Sequence, residues 1–389
     1  MQRAGTGAAV AVISNTRNLC AALALVISAV PAWCGVLPED RADALYHSYD
    51  GGGVEVTGPS ILVRKGDAKN FSLSANYYAD SISSASIDVV TQGSSYSEQR
   101  DQWSGSIDYL HADTTMSVGY TNSDESDYQA DTYNVSVSQT MFGALTTVTL
   151  GYSRGFDDIF DNTQSDFKET ADHQNYHISI SQVLTKKMLL SLNYDAVTDE
   201  GYLQNPYRNV LVLNDPNDPD AGFNFNTPET YPNTRTSNAL SANLLYYLPY
   251  RASVRTNYRF YTDDWDIDAH TAEIGYTHPL GDKWIIELHY RYYTQSAADF
   301  YSDIFDFPNQ QNFMARDKEL SEFSDHTLGF GISYNLLKEN WGYIDRATLN
   351  FKWDRIWFKY DNFTDVTKSD LPAYEFDADV IQLFVSAWY

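Results

Sequence analysis

The sequence predicts an all-β chain, a transmembrane antiparallel β-barrel of the outer-membrane type, on three observations. The chain ends on Tyr374 to Tyr389 (YEFDADVIQLFVSAWY), where Ile381, Leu383, Val385, Ala387 and Tyr389 recur at period two and share one face of a strand. In water that stripe would be an exposed apolar edge, which soluble proteins blunt with charge or proline, whereas in a bilayer it faces lipid and its edge pairs with the first strand. The same alternation recurs in segment after segment from Trp103 onward. The links between these segments alternate between short and long, as in barrels with short periplasmic turns and long outer loops. The competing reading is a secreted sandwich, because alternation alone does not separate lipid from core.

At the N-terminus, Arg3 and Arg17 precede an apolar run from Leu19 to Val30 that is too short to span a bilayer and leads into small residues. Residues 1–32 therefore read as a signal peptide cleaved after Ala32, with Cys34 a less favoured limit. Cys20 and Cys34 lie in or beside this segment, so no disulfide framework is expected; Trp33 argues against lipidation of Cys34. No other run is long and apolar enough for a helical span, and the mean hydropathy would pass for a soluble protein, as it does in barrels whose two faces cancel. Fifteen per cent aromatic residues, 30 of them tyrosine, suit two interfacial girdles. A formal charge of -26 argues against nucleic acid or an anionic surface as partner, and solvated loops rich in Asp and Glu account for most of it.

In order, residues 33–53 (Leu37 to Gly53 reading LPEDRADALYHSYDGGG) form a polar leader, periplasmic or tucked into the barrel mouth, and residues 54–389 form the barrel. Val54 to Val63 and Asn70 to Tyr78 make a hairpin around Arg64, Lys65, Gly66 and Asp67. The serine-rich stretch from Asp80 to Arg100 holds a short strand or a loop. Trp103, Ile107 and Tyr109 then oppose Ser104, Ser106 and Asp108, and Tyr133, Val135 and Val137 oppose Thr132, Asn134, Ser136 and Ser138. The pattern continues through Val148 to Tyr152, Tyr176 to Ile180, Leu190 to Tyr194, Leu240 to Tyr246, Val254 to Phe260, His270 to Tyr276, Trp284 to Tyr292, Leu328 to Tyr334 and Ala347 to Trp353. Short links at His111 to Thr114, Met141 to Leu145, Thr185 to Lys187, Leu248 to Arg251, Pro279 to Asp282 and Leu336 to Asp345 are assigned to the periplasm. The longer or more acidic Asn122 to Ala130, Asp157 to Asp172, Thr198 to Thr234, Thr262 to Trp265, Gln295 to Glu322 and Asp361 to Tyr374 are assigned outside. Counting back from Tyr389 gives 14 strands from Asn70, or the preferred 16 if the Val54 hairpin and a strand inside Asp80 to Arg100 are included.

Four stretches carry a family resemblance: LPEDRADALYHSYDGGGV (Leu37 to Val54), Asp80 to Ser86, Glu98-Gln99-Arg100, and SDESDY, whose Ser123, Glu125, Asp127 and Tyr128 are its motif residues. They resemble the bacterial outer-membrane family catalogued as domain of unknown function 3570, over nearly the whole mature chain. The resemblance implies an outer-membrane β-barrel without an assigned activity, and a place in a redox or flavoprotein-linked envelope system with small lipoprotein partners.

Catalytic and metal signatures are sparse. The histidines show no zinc spacing, and His173 and His177, four apart on a strand, read first as solvated residues at a loop edge. No phosphate loop or nucleophile elbow occurs, so no enzyme activity and no cofactor are expected. The acidic Asn214 to Asp220 (NDPNDPD) and Asp263, Asp264, Asp266 and Asp268 leave an outer-loop calcium site open, although such turns are common without metal. In the lumen, Arg255, Asn257 and Arg259 alternate with outward Val254, Tyr258 and Phe260, while Glu273 and then Glu287, His289 and Arg291 follow on the next two strands. Antiparallel pairing brings these charges together, where they either line a water-filled pore or brace and partly close the lumen. A pore for small solutes is the leading expectation, a structural or assembly component the second, and an envelope enzyme the third. Leu383, Val385, Ala387 and Tyr389 are the expected assembly signal, read by the barrel-assembly machinery, with outer-membrane lipids as the other partner.

Overall fold

The computed structural model describes residues 36–389 except 68, 88–90, 92–95, 219–220 and 338–341. The expected signal peptide and both cysteines lie outside the described residues. Among the described residues eighteen strands form in chain order: β1 (Arg41–Gly51), β2 (Val54–Gly66), β3 (Phe71–Ser84), β4 (Tyr96–His111), β5 (Thr114–Asp124), β6 (Tyr128–Met141), β7 (Thr146–Asp161), β8 (Gln164–Thr185), β9 (Met188–Gly201), β10 (Asn209–Leu213), β11 (Phe223–Pro228), β12 (Thr234–Tyr247), β13 (Ser253–Asp263), β14 (Asp268–Leu280), β15 (Trp284–Gln295), β16 (Phe323–Leu337), β17 (Arg346–Thr364) and β18 (Ala373–Trp388). Sixteen of them close into one antiparallel barrel in which β1 pairs with β18, and β10 and β11 form a separate hairpin in the loop between β9 and β12.

The expected strand number is met by a different set of strands. The segment read as a polar leader forms β1 over Arg41–Gly51, hydrogen-bonded to β18 on one side and β2 on the other. Its glycines are the β1–β2 turn: Gly52 and Gly53 have φ of 59° and 78°, the left-handed geometry that matches strand twist in a two-residue hairpin. Among the described residues between Asp80 and Arg100 there is no additional barrel strand; β3 runs on to Ser84 and β4 starts at Tyr96. The leader was hard to read because its outward positions Ala42, Ala44, Ser48 and Asp50 are small or polar, so the apolar stripe that marks other strands is reduced to Tyr46, 51 % exposed.

Elsewhere the alternation holds. Met116 and Val118, Val135 and Val137, Ile178 and Ile180, Leu240, Ile274, Leu288, Leu328, and Ile381, Leu383 and Val385 are all exposed on the outer wall. Outward apolar runs such as Trp284 to Tyr292 cover nine residues, which at about 3.3 Å per residue and a tilt of about 40° make a belt about 23 Å high. Along its loop-side edge the aromatics hydrogen-bond to polar groups. Tyr120 donates to Asp131 at 2.6 Å, Tyr194 to Asn238 at 2.7 Å, and the Trp353 indole to Asp379 at 2.9 Å, as expected where a ring has one apolar and one wet end. Both described chain ends lie at the opposite, short-turn edge, where Tyr389 donates from its hydroxyl to the Arg64 carbonyl at 3.1 Å and Lys65 lies 4.8 Å from its ring.

Two expected long loops are shorter. Asp157 to Asp172 is a continuation of β7 and β8 into a hairpin whose turn is Asn162–Thr163, fixed by Asp161 accepting from the Thr163 amide at 2.7 Å. Asn122 to Ala130 leaves only residues 125–127 outside the strands. These ladders were concealed because buried positions on their inner faces are polar, Ser123, Asp157 and Asp161 among them, so no apolar stripe marks them.

Candidate functional site in the barrel lumen

Inward side chains divide the lumen into two arcs. On β5 to β9 they are mostly small: Ser117 and Thr121, Asn134 and Ser136, Thr149 and Ser153, Ser179 and Ser181, Ser191 and Asn193, with Ser181 and Ser191 2.7 Å apart across the ladder. The arc from β13 to β17 is charged and contains every expected lumenal residue. Arg255 pairs with Glu273 at 2.7 Å, Arg291 with Asp325 at 2.9 Å, His289 with Asp354 at 3.3 Å, and Glu287 with Lys352 at 3.4 Å. Arg259 alone of the expected set has no carboxylate within ion-pair distance among the described residues, and its guanidinium lies 5.5 Å from the Tyr261 ring.

Asp325, Lys352 and Asp354 were not anticipated, although Asn350, Lys352 and Asp354 alternate with outward Leu349, Phe351 and Trp353 and were legible by period. What the sequence did not advertise is how residues two strands apart meet. In register, His289 faces Gly329 and Gly329 faces Asp354, while Glu287 faces Gly331 and Gly331 faces Lys352. A Cβ at Gly329 would collide with the His289 ring and the Asp354 carboxylate, so the missing side chain is what lets β15 and β17 join across β16. On the small-residue arc His177 faces Gly151 and His173 faces Gly155, but their ion pairs are made with the adjacent strands. There His177 pairs with Asp195 at 2.7 Å, and His173 bridges Asp157 at 2.8 Å and Asp199 at 2.7 Å. These two histidines therefore face the lumen and do not form the solvated loop edge expected for them.

Accessibility falls from mid-height toward the loops. The Arg255–Glu273 and Glu287–Lys352 side chains retain 21–40 % of their surface, whereas Asp325, nearer the loops, retains 4 %. Above this level the wall is apolar: Ile356, Ala378 and Val380 form one buried cluster, and Phe323, Tyr360 and Phe363 form another with Ile87 from the β3–β4 connection.

The outer connections fold together over this end. Val210 and Val212 of β10 pack on Phe305 and Met314 of the β15–β16 loop, and Tyr231, Trp265, Phe300 and Leu320 form a second core. Charges buried between them are paired: Arg208 with Asp317 at 2.5 Å, and Arg316 with Asp303 at 3.0 Å. Glu229 accepts from the Arg316 amide and the Tyr231 hydroxyl, each at 2.7 Å. Arg316 also donates to the Thr364 carbonyl at 3.0 Å and lies 4.3 Å from the Phe363 ring, tying the β17–β18 end into the assembly. Burial pushes the Glu229 carboxyl above the usual carboxylate range, with Arg208 opposing and Asp317 adding to the shift.

The stretches that carry the family resemblance are structural hubs. His47 of β1, Asp80 of β3 and Arg100 of β4 come from three of them and meet in one buried cluster. His47 lies 2.7 Å from Asp80, Arg100 pairs with the other Asp80 oxygen, and the Tyr78 ring stacks on His47 at 4.8 Å. SDESDY forms the β5–β6 turn: Ser123, Glu125 and Asp127 are buried, Asp127 accepts from the Tyr207 hydroxyl at 2.8 Å, and Tyr128 donates to Asp157. Burial, with the charge of Glu98 nearby, pushes the Asp127 carboxyl up to about 6. The Asn162 amide donates to the same Tyr207 hydroxyl at 2.8 Å, and the Ser126 amide to Glu98 at 2.9 Å, so a continuous rim links four connections.

The acidic runs are engaged in local structure. Asp263 binds Arg235 through one oxygen and accepts the Trp265 and Ile267 amides through the other, each at 3.0 Å, and Asp264 accepts the Thr236 amide at 2.9 Å. Asp215 accepts the Asn217 amide at 2.9 Å, and Asp220 lies outside the described residues. No group of three His, Cys, Asp or Glu residues suited to a metal ion occurs among the described residues. At the assembly signal, Leu383 and Val385 are exposed on the outer wall, and Ala387 of β18 faces Ala42 of β1 and Ala347 of β17 in register.

Among solved structures, a bacterial polysaccharide outer membrane secretin is 6 % identical with a TM-score of 0.49, covering 91 % of this chain and 100 % of that one. CdiB from Acinetobacter baumannii is 10 % identical with a TM-score of 0.48; 90 % of this chain is covered, and it spans 60 % of that protein's length. The siderophore receptors PirA from Pseudomonas aeruginosa and Acinetobacter baumannii are likewise spanned over 60 % of their length. OccK2 (OpdF) from Pseudomonas aeruginosa, solved in complex with glucuronate, is 9 % identical with a TM-score of 0.43, covering 90 % of this chain and 98 % of that one. No curated protein matches the chain in sequence. The family model described as "Protein of unknown function (DUF3570)" matches residues 90–343, more than half of the chain, from the approach to β4 through the end of β16 and beyond, and the chain belongs to that family.

Proposed function

We propose that the barrel is an outer-membrane pore for small polar solutes, narrowed at its loop end. The observation that carries this reading is the state of the mid-lumen charges: ion pairs that keep 21–40 % of their side-chain surface accessible stand in room for water, not in a packed core. The opposite arc of Ser, Thr, Asn and Gly adds a polar wall with short side chains, and a barrel of this strand number is wide enough to conduct. On this reading the long loops face outward from the cell and both described ends face the periplasm. Outer-membrane lipids and the barrel-assembly machinery are the partners, and no cofactor or catalytic step is required. Purified protein in planar bilayers should give a stepwise conductance in potassium chloride; silent bilayers containing correctly folded, heat-modifiable barrel would refute the pore.

A second reading, a scaffold for envelope partners such as small lipoproteins, is favoured by the loop assembly, which has cores of its own and leaves Phe307 and Phe313 exposed at 51 % and 40 %. It would be supported by a folded but non-conducting barrel that retains a partner through those two residues.

A further inference from the structure

We infer that Arg259 is the binding point for the carboxylate of a small organic acid inside the lumen, a proposal that rests on the pore reading and names its solute class.

The carboxylates around Arg259 are all engaged elsewhere. Asp263, on the same strand face, is held by Arg235 and by two turn amides. Glu273, on the next strand, is paired with Arg255 at 2.7 Å, and Asp325 is paired with Arg291 at 2.9 Å. In register Arg259 faces Ser241 on β12 and Thr271 on β14, so a hydroxyl residue stands on each flank. The Ser241 oxygen already accepts from the Asn193 amide at 3.0 Å, which leaves its hydroxyl hydrogen to donate inward.

The guanidinium is also held in place. Tyr261 lies under it at 5.5 Å and is itself fixed, its hydroxyl donating to Asp263 at 2.7 Å and lying 2.9 Å from the Ser237 hydroxyl, from which it can accept. Stacking on an anchored ring orients the planar fork before any ligand arrives, and a carboxylate accepts two parallel N–H bonds from that fork. The aromatic faces of Tyr261 and, one strand beyond Thr271, of Tyr293 offer surface for the organic part of the solute. Arg259 lies in the same row as Asp325, where the wall changes from accessible to buried, so a solute entering from the short-turn end meets this cation where the lumen closes in.

The test uses the full mature chain in detergent, with benzoate and its neutral isostere benzamide as probes in isothermal titration, and potassium chloride conductance recorded on the same preparation. Benzoate should bind, and benzamide should bind at least about tenfold more weakly, the loss expected when a hydrogen bond to a charged group disappears. Arg259→Gln should remove the preference for benzoate, Arg259→Lys should keep most of it, and Lys283→Gln at the short-turn edge should leave it intact. Equal affinity for the two probes, or benzoate binding unchanged in Arg259→Gln, overturns the site. If conductance is present while benzoate ignores Arg259, the site fails and the pore stands. If benzoate binding depends on Arg259 in a barrel that never conducts, the pore fails and the site stands.

Discussion

At mid-lumen, Lys352 and Glu287 sit 3.4 Å apart with 23 % and 40 % of their side chains accessible; in the loop assembly, Arg316 and Asp303 sit 3.0 Å apart with 1 % and 17 % accessible. The pairings are alike in kind and their surroundings are opposite. Water screens the first pair and can take over if it is broken, so the charges there contribute little to stability, and on the pore reading proposed above they set which solutes approach. The second pair is sealed within the loop assembly, with the Arg316 guanidinium over the Phe363 ring, where a charge is tolerated only with its partner. On the proposed reading, charges at mid-lumen shape the passage, and charges in the loop assembly hold its outer end together.

The largest effect is expected from breaking the sealed region. Arg316→Ala removes the partner of Asp303, the bond to the Thr364 carbonyl and the stack on Phe363, and should cost about 3 to 5 kcal/mol within the loop assembly. Limited proteolysis should then cleave residues 296–322 while the heat-modifiable barrel persists, and conductance should rise. Cleavage no faster than in the native chain would mean that these loops are not held by their buried charges.

A smaller effect is expected at Gly329. Gly329→Ala puts a Cβ between His289 and Asp354 and forces them apart, but in a wetted lumen both side chains can turn into water. The cost should be about 1 to 3 kcal/mol of barrel stability, as for other overpacking changes, read as the denaturant midpoint of refolding into detergent. Lys352→Gln should fall lower still, at about 0 to 1 kcal/mol, while shifting the reversal potential toward cation preference. A loss comparable to that of Arg316→Ala would place the mid-lumen pairs in the sealed class.

The smallest effect is a pH dependence confined to the loop rim. The Asp127 carboxyl, facing Glu98, Asp161 and the Tyr207 hydroxyl, is raised by burial to about 6, so the folded rim takes up a proton more readily than the unfolded chain. Its contribution to stability is therefore full below about pH 4 and is lost as pH rises through about 6. Amide exchange of residues 125–127, corrected for the intrinsic pH dependence of exchange, should be slower at pH 5 than at pH 7.5, and Asp127→Asn should flatten the difference.

How much of this could be read beforehand depended on which physics wrote the residue pattern. Where lipid faces one side and water the other, alternation is forced, and β5 to β9 and β12 to β18 stood out by it; the charges of β13 to β15 were assigned to the lumen by the same period. β1 escaped because its outer face is small and polar, and the long β7–β8 hairpin because its buried inner face above the belt carries Asp157 and Asp161 in place of an apolar stripe. Partner choice across Gly329 and Gly331 was not legible, because a strand glycine permits a contact without naming the two residues that make it. The loop cores were missed because they join segments about a hundred residues apart, such as Val210 to Phe305, through contacts that no periodicity marks.

The contrast between the two regions can be measured directly by thiol accessibility in the folded barrel, in a chain lacking Cys20 and Cys34. Ser179→Cys places a thiol on the mid-lumen wall, and Ser321→Cys places one in the loop assembly, where the native serine is fully buried. A small charged thiol reagent should modify the first at once and the second only after the loops are loosened by Arg316→Ala. Equal modification rates at the two positions in the otherwise native barrel would contradict the division into a wetted passage and a sealed outer end.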